Sequence, residues 1–273
     1  MIGAASEVND SRGFDKIRTW LKSRCAIVYP EHKTPLLRQR LSRVVYDLGY
    51  ANLNELALAL IDENSEQVQL AVMHAASTNH TYFFREQDVL DSFRDVVLDA
   101  LKGKPDIRIW SAAASTGDEA YTIAMIIAEA LGSDALKRTH ILGTDLSAPV
   151  IDQAEEGIYS VRQFDKTKPE ILRRYFDATG DETYRVKDNI RSVCTFRRMN
   201  LKATPYPFSK PFQAVFCRNI LYYFDRADQL ATLEAIYDAT EPGGWLVTSV
   251  TEPIRDLGSR WEPVCSGIFR RSE

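Results

Sequence analysis

Apolar side chains recur at Phe14, Ile17, Trp20 and Leu21, three or four residues apart, the repeat of one helix face. Tyr29-Pro30 interrupts the pattern. It resumes with Leu36, Leu37, Leu41, Val44, Val45 and Leu48, where Thr34 reads as an N-cap, Pro35 as a first-turn proline and Gly49 as a stop. Further helices are predicted over 53–62 and 65–76. The first 76 residues therefore read as a small all-helical domain, preceded by a polar, unstructured stretch over 1–12. A longer helix is predicted over 86–102, ended by Gly103-Lys-Pro105. Beyond it, strand-length apolar runs (107–112, 140–144, 212–217, and 243–250 after a Gly243-Gly244 turn) alternate with helical ones (119–131, 148–156, 226–239). That alternation predicts a largely parallel sheet with helices on both faces, filling a second domain over 77–273. Two short runs, 183–187 and 192–196, break it and predict an antiparallel β insert at about 180–200.

In an open α/β sheet a ligand sits at the carboxyl ends of the strands. The first strand leads into Trp110-Ser-Ala-Ala-Ala-Ser-Thr-Gly-Asp-Glu-Ala-Tyr121, small residues followed by a helix. Such a turn presents backbone N–H groups to a ligand, or is an empty corner. It lacks G-x-G-x-x-G, which argues against a dinucleotide. Past the second strand, Asp145 suits either the two hydroxyls of a ribose or a helix N-cap, a role Ser147 can also fill. Asn200-Leu201 and Arg218-Asn219 follow later strands. Asn can read a ring edge through paired donor and acceptor, or simply form a turn. Ile220-Leu-Tyr-Tyr-Phe224 supplies aromatics for a planar ligand or for the core.

Composition narrows the class. The 273 residues are 45% hydrophobic and 26% charged, ordinary for a globular chain. A net charge of −4 offers no basic field to nucleic acid. No secretory signal and no membrane-length apolar run is apparent, so a cytoplasmic protein without membrane insertion is expected. Cys25, Cys194, Cys217 and Cys265 are far apart, as are His32, His74, His80 and His140. Reduced thiols and no metal centre are expected.

Five stretches taken together resemble a known family. They are Thr78-Asn-His-Thr-Tyr-Phe-Phe-Arg-Glu86, Trp110 to Glu119, Gly143-Thr-Asp-Leu146, Phe216-Cys-Arg-Asn-Ile-Leu-Tyr-Tyr-Phe224 and Pro242-Gly-Gly244. In that order they are similar to the CheR-type protein-glutamate O-methyltransferases of bacterial chemotaxis. The resemblance runs from about residue 14 to near the end. It implies a Rossmann-like methyltransferase sheet, S-adenosylmethionine as methyl donor, S-adenosylhomocysteine as product and a chemoreceptor glutamate as acceptor. It implies Asn79, Thr81 and Arg85 near the methionine end of the cofactor, with Ala113 and Glu119 along that part. Asp145 would hold the ribose, Asn200 and Leu201 would flank the adenine, and Arg218 and Asn219 would complete the pocket. Arg85 and Tyr223 match the residues that align the acceptor. Arg38, Arg40 and Arg43 would face the acidic helices of the receptor, or else form a solvated helix face. A monomer is expected.

The chain departs from the family in places. Members often read Gly-Glu-Glu-Pro-Tyr where this chain has Gly117-Asp-Glu-Ala-Tyr121, which keeps the charge. Many read Gly-His-Ser-Glu where this chain has Ser249-Val-Thr-Glu252, so any role of that histidine is absent. The segment between Phe176 and Arg185 looks short for gripping a receptor's C-terminal tail, and tail-independent activity is expected. Two other readings stand beside the enzyme: a cofactor-binding signalling module acting through partners, and a methyltransferase for another substrate.

Overall fold

The computed structural model describes residues 2–61, 65–77, 80–252 and 254–273, with backbone alone over 2–9. Asp62, Thr78 and Asn79 lie outside the described residues. Helix α1 (Ile2–Cys25) starts at Ile2 rather than after residue 12. The stretch is polar, but Ala4, Ala5 and Glu7 are good helix formers. After a 3-10 turn come α2 (Thr34–Asp47), α3 (Leu53–Ile61) and α4 (Glu66–Ala76). Lys33, not Thr34, is the N-cap of α2; the Thr34 hydroxyl instead donates to the Glu31 carbonyl at 2.8 Å. Ile17, Leu21, Leu37, Leu41, Leu56 and Val72 share one buried core.

The predicted 86–102 helix is a rod of α5 (Gln87–Ser92), a π-helical turn (Phe93–Leu98) and α6 (Asp99–Leu101). The wider turn lets Phe93, Val97 and Leu98 all face the core. Then follow β1 (Ile107–Ala112), α7 (Asp118–Leu131), β2 (Thr139–Asp145) and α8 (Ala148–Glu156). The chain continues through β3 (Ile158–Ser160), α9 (Pro169–Tyr175), β4 (Phe176–Ala178), β5 (Thr183–Val186), α10 (Asp188–Arg191) and β6 (Cys194–Arg198). It ends with β7 (Phe212–Cys217), α11 (Arg226–Ala239), β8 (Thr240–Val247), β9 (Glu262–Cys265) and β10 (Ile268–Arg270). β8 begins before the two glycines and stops short of the predicted end at 250.

The seven-stranded sheet has the order β6-β2-β1-β7-β8-β10-β9. The strands from β6 to β8 are parallel, whereas β9 and β10 form an antiparallel hairpin at the edge. Ile107 and Ile109 of β1 feed one face's core, and Trp110 and Ala112 the other. A central parallel strand is covered on both sides, which is why this run is almost wholly apolar.

The pairing of 183–187 with 192–196 is not what forms. Residues 194–198 are β6, parallel to β2, with Cys194 opposite Ile141. Phe196 is 2% exposed and lies where a Cβ on Gly143 would meet it at 2.5 Å, so the main core claims this strand. The antiparallel sheet is β3-β5-β4, whose three-residue outer strands are too short to show a period.

Candidate active site

Ala112 lies opposite both Thr144 of β2 and Cys217 of β7. The loops after these three strands therefore leave the sheet at one level and face one another. The β1–α7 turn is unusual in its backbone. Ala113, Ser115 and Gly117 have φ of 69°, 49° and 89°. Glycine is required at 117, because a Cβ would meet Ala154 at 2.9 Å on top of the left-handed φ. Ala113 and Ser115 hold that conformation without being glycine, a strain of about 1–3 kcal/mol each that the surroundings must enforce. Ala114 N donates to the Thr144 carbonyl at 2.8 Å, and Ser115 N to Asp145 Oδ2 at 2.9 Å.

Asp145 thus ties two loops together, since its Oδ1 also accepts from Ser147 N at 3.0 Å. Ser147 is the N-cap residue of α8, and its hydroxyl meets His74 Nδ1 at 2.7 Å. Each Asp145 oxygen keeps a lone pair beyond its backbone bond. Burial raises the carboxyl's pKa, against the backbone N–H groups of Ser147, Ser115 and Leu146.

A buried charge network lies on the other side. Arg218, its side chain only 3% exposed, donates from Nη1 to Glu119 Oε2 at 2.9 Å and from Nη2 to the Arg85 carbonyl at 2.6 Å. Its Nη2 is also 3.5 Å from Glu86 Oε2. Ser111 Oγ holds the other Glu119 oxygen at 2.8 Å. Asn219 Nδ2 and Ser249 Oγ both donate to Glu86 Oε1 at 2.9 Å. Burial would raise the Glu86 carboxyl, but the Asn219 bond and the Arg218 charge bring it below its ordinary value. Glu252 accepts from Asn219 N and Leu221 N, each at 2.7 Å, and so clamps a loop in which Asn219 has a φ of 59°.

Arg85 and Tyr223 line the same pocket as Glu119, Arg218 and Asn219. Arg85 Nη1 donates to the His80 carbonyl at 3.0 Å, and its Nε is 3.9 Å from Glu86, too far for a hydrogen bond. Its ion pair with Glu86 is therefore loose. The Tyr223 hydroxyl accepts from Tyr222 at 3.3 Å, and its carbonyl accepts from Val28 N at 2.8 Å.

Thr81, Arg85, Ala113, Glu119 and Asp145 line one pocket. Asn200, Leu201, Arg218, Asn219 and Tyr223 line it too, with Cys25, Ile27 and Ala76 of the helical domain closing one wall. Asn79 lies outside the described residues. Asn200 is there by position only: its amide donates to the Arg24 carbonyl at 2.7 Å and its Oδ1 accepts from Lys202 N at 3.0 Å. It is not free to read a ring edge.

Glu86 and Glu252 hold the loops around the site, and the sequence pattern does not single them out. Their bonding partners sit 133 and 33 residues away. The nearest signals were their places at the ends of two motifs already noted.

The three arginines of α2 differ. Arg40 donates to the Ser77 carbonyl at 3.0 Å and to the Ala75 carbonyl at 3.4 Å, capping the end of α4. Arg38 stacks 4.3 Å over Phe14 and is 3.3 Å from Asp10. Arg43 has an 84% exposed side chain, with Asp47 at 3.6 Å beside it.

A family model described as the SAM-binding domain of CheR methyltransferases matches residues 79–267, and the all-alpha domain of the same family matches 12–72. The chain belongs to the CheR methyltransferase family. It is 32% identical over 249 residues to a chemotaxis protein methyltransferase of Vibrio parahaemolyticus, covering 90% of each chain. It is 34% identical to chemotaxis protein methyltransferase 1 of Pseudomonas aeruginosa, covering 95% of this chain and 97% of the relative. It is 32% identical to that of Escherichia coli, covering 91% and 86%. The protein is thus an S-adenosylmethionine-dependent methyltransferase. The CheR-family pocket fits such a ligand. Among the described residues, Ser115 Oγ and Arg218 Nε are buried there without partners. Free donors of this kind suit a ligand rich in hydroxyl and carboxylate oxygens. No helix among the described residues is long and apolar enough to cross a membrane.

Proposed function

We propose that this CheR-family enzyme methylates glutamate side chains of bacterial chemoreceptors, giving methyl esters. The observation that carries this reading is the company Arg85 and Tyr223 keep: a cation and a phenol, both lining the pocket that holds Glu119 and Asp145. When bound, S-adenosylmethionine supplies an electrophilic methyl whose carbon–sulfur bond breaks as oxygen–carbon forms, the electron pair staying on sulfur. Asp145 takes the ribose hydroxyls with its spare lone pairs. Glu119, fixed by Arg218 and Ser111, faces the cationic amino-acid end, with Asn79, Thr81 and Ala113 along it. Asn200 and Leu201 flank the adenine as wall, and Arg218 and Asn219 complete the enclosure.

A glutamate carboxylate, with a pKa of about 4.3, is already ionised at neutral pH and needs no general base. The chain's task is alignment. Arg85 orients the carboxylate through charge-assisted bonds, and the Tyr223 hydroxyl fixes the oxygen that does not attack. A positive and a negative charge vanish together, so a pocket walled off from water favours the product side. Arg43, beside the exposed Leu36 and Tyr46 on α2, meets the receptor helix. The β4–β5 connection spans only residues 179–182, which supports activity independent of a receptor tail. Tail-peptide calorimetry is expected to show no binding at micromolar concentration; a clear isotherm there would overturn that part.

The test is to incubate the protein with methyl-labelled S-adenosylmethionine and chemoreceptor-containing membranes. Base-labile label in the receptor band is expected. Base-stable label, or label only in other components, would refute the receptor-glutamate reading.

A further inference from the structure

Tyr222 is the exposed member of a buried loop. Its neighbours Leu221 and Tyr223 are 2% and 8% exposed, whereas Tyr222 is 45% exposed. Exposure would suggest an idle surface ring, yet its hydroxyl donates to the Tyr223 hydroxyl at 3.3 Å. The two rings lie 4.4 Å apart, tilted by 46°. The loop cannot swing freely, since Glu252 pins its backbone at Asn219 and Leu221 and Val28 N holds the Tyr223 carbonyl.

We infer that Tyr222 is a positioning residue for the acceptor: by donating to Tyr223, it turns the Tyr223 proton toward the acceptor carboxylate. A phenol has one hydrogen to donate and lone pairs to accept with. With Tyr222 donating, the Tyr223 oxygen is occupied as an acceptor. Its own hydrogen is then left for the pocket it lines beside Arg85 and Asn219. The reverse arrangement would use that hydrogen on Tyr222 and turn lone pairs toward an anion. Accepting a bond also polarises Tyr223 and strengthens it as a donor. A neutral donor suits this place. The acceptor oxygen must keep its electrons for the attack, and a second cation would quench them. Arg85 and Tyr223 line the same pocket, so the cation and the phenol can serve one acceptor carboxylate.

The inference rests on the proposed acceptor chemistry, and the test separates the two. Tyr222→Phe keeps the ring and removes the donor. In the wild-type background it should lower receptor kcat/KM about 3- to 10-fold, as expected for one neutral hydrogen bond, with cofactor Kd unchanged. In a Tyr223→Phe background it should cost less than 2-fold, because nothing is left to orient. Equal losses in both backgrounds, or no loss in either, overturn the inference. Absence of receptor labelling by wild type would refute the receptor reading alone. The ζ-carbon resonance of Tyr223 in 13C-tyrosine-labelled protein then decides: Tyr222→Phe must shift it, and an unmoved resonance overturns the inference.

Discussion

Arg218 shows why single side chains here cannot be judged by type. A guanidinium this deeply buried would be costly alone. Glu119 and Glu86 on either side, with the Arg85 carbonyl, make it a stay that fixes two carboxylates at once. Arg85 is different, because its nearest carboxylate among the described residues, Glu86, is 3.9 Å away, and its charge is available to an anion. Arg85→Ala is therefore expected to cut methyl transfer about 10- to 100-fold, the range of a charged hydrogen bond, while cofactor Kd measured by calorimetry moves less than 3-fold. Asp118 gives a pH prediction. Fully buried, with its oxygens accepting from Thr116 and Gln163, its carboxyl is raised by burial from 3.8 to about 6. The folded chain then binds a proton that the unfolded chain releases. This group's contribution rises as pH falls from 6 toward 4, and above that window its buried charge costs about 3 kcal/mol. Asp118→Asn removes the charge, keeps an oxygen to accept from Gln163 and turns its amide to donate to the Thr116 hydroxyl, which can also accept. In urea unfolding it should equal or exceed wild type at pH 7 and give up about half of that advantage by pH 5; the same difference at both values would refute the assignment. Asp145, Glu119 and Arg218 were legible because strand ends are where such sites form. Glu86 and Glu252 were not, because their roles come from groups brought near only by the fold.

At the scale of elements, the β1–α7 turn is the piece on which most depends. Its left-handed residues, its tether to Asp145 and its glycine cap set where Glu119 stands. Gly117→Ala adds a methyl 2.9 Å from Ala154 and 3.1 Å from both Phe196 and the Tyr159 hydroxyl, at a φ of 89°. Strain and overpacking together should cost about 2–4 kcal/mol in denaturant unfolding and weaken cofactor binding in parallel. Wild-type stability would mean the turn can relax and does not set the site. The elements themselves were mostly readable, because long apolar runs such as 107–112 and 119–131 carry an unambiguous period. The exceptions have physical causes. Strands β3 and β4 have three residues each, too few to alternate. Strand β6 has the polar, alternating look of an insert strand because it is an edge, with Phe196 buried in the core and Cys194 packed against it. The β9–β10 hairpin contains Pro263 and turns at Gly267, which hid it.

For the whole molecule, the two domains build one pocket. The helical domain is joined to the sheet domain at Arg24–Asn200, Val28–Tyr223 and Lys22–Asp225. Partners 176 or more residues apart leave no local trace, so the sequence could show two domains but not that the first walls the site of the second. The joint places α2 on the same body as the site, and of its three arginines Arg43 is the one left to solvent. Its pairing with Asp47 is of the exposed kind worth at most about 1 kcal/mol, so a receptor carboxylate can replace it. Such a contact acts at a distance from the chemistry. It should govern encounter and acceptor KM, be screened by salt, and leave the cofactor untouched. Arg43→Glu is accordingly expected to raise the receptor KM about 10-fold at low ionic strength, with kcat and cofactor Kd near wild type. The defect should shrink toward wild type near 1 M salt, where the screening length is about 3 Å. A defect that ignores salt, or one that falls on kcat, would move Arg43 from receptor encounter to the stability of α2. The receptor would then have to approach by another face.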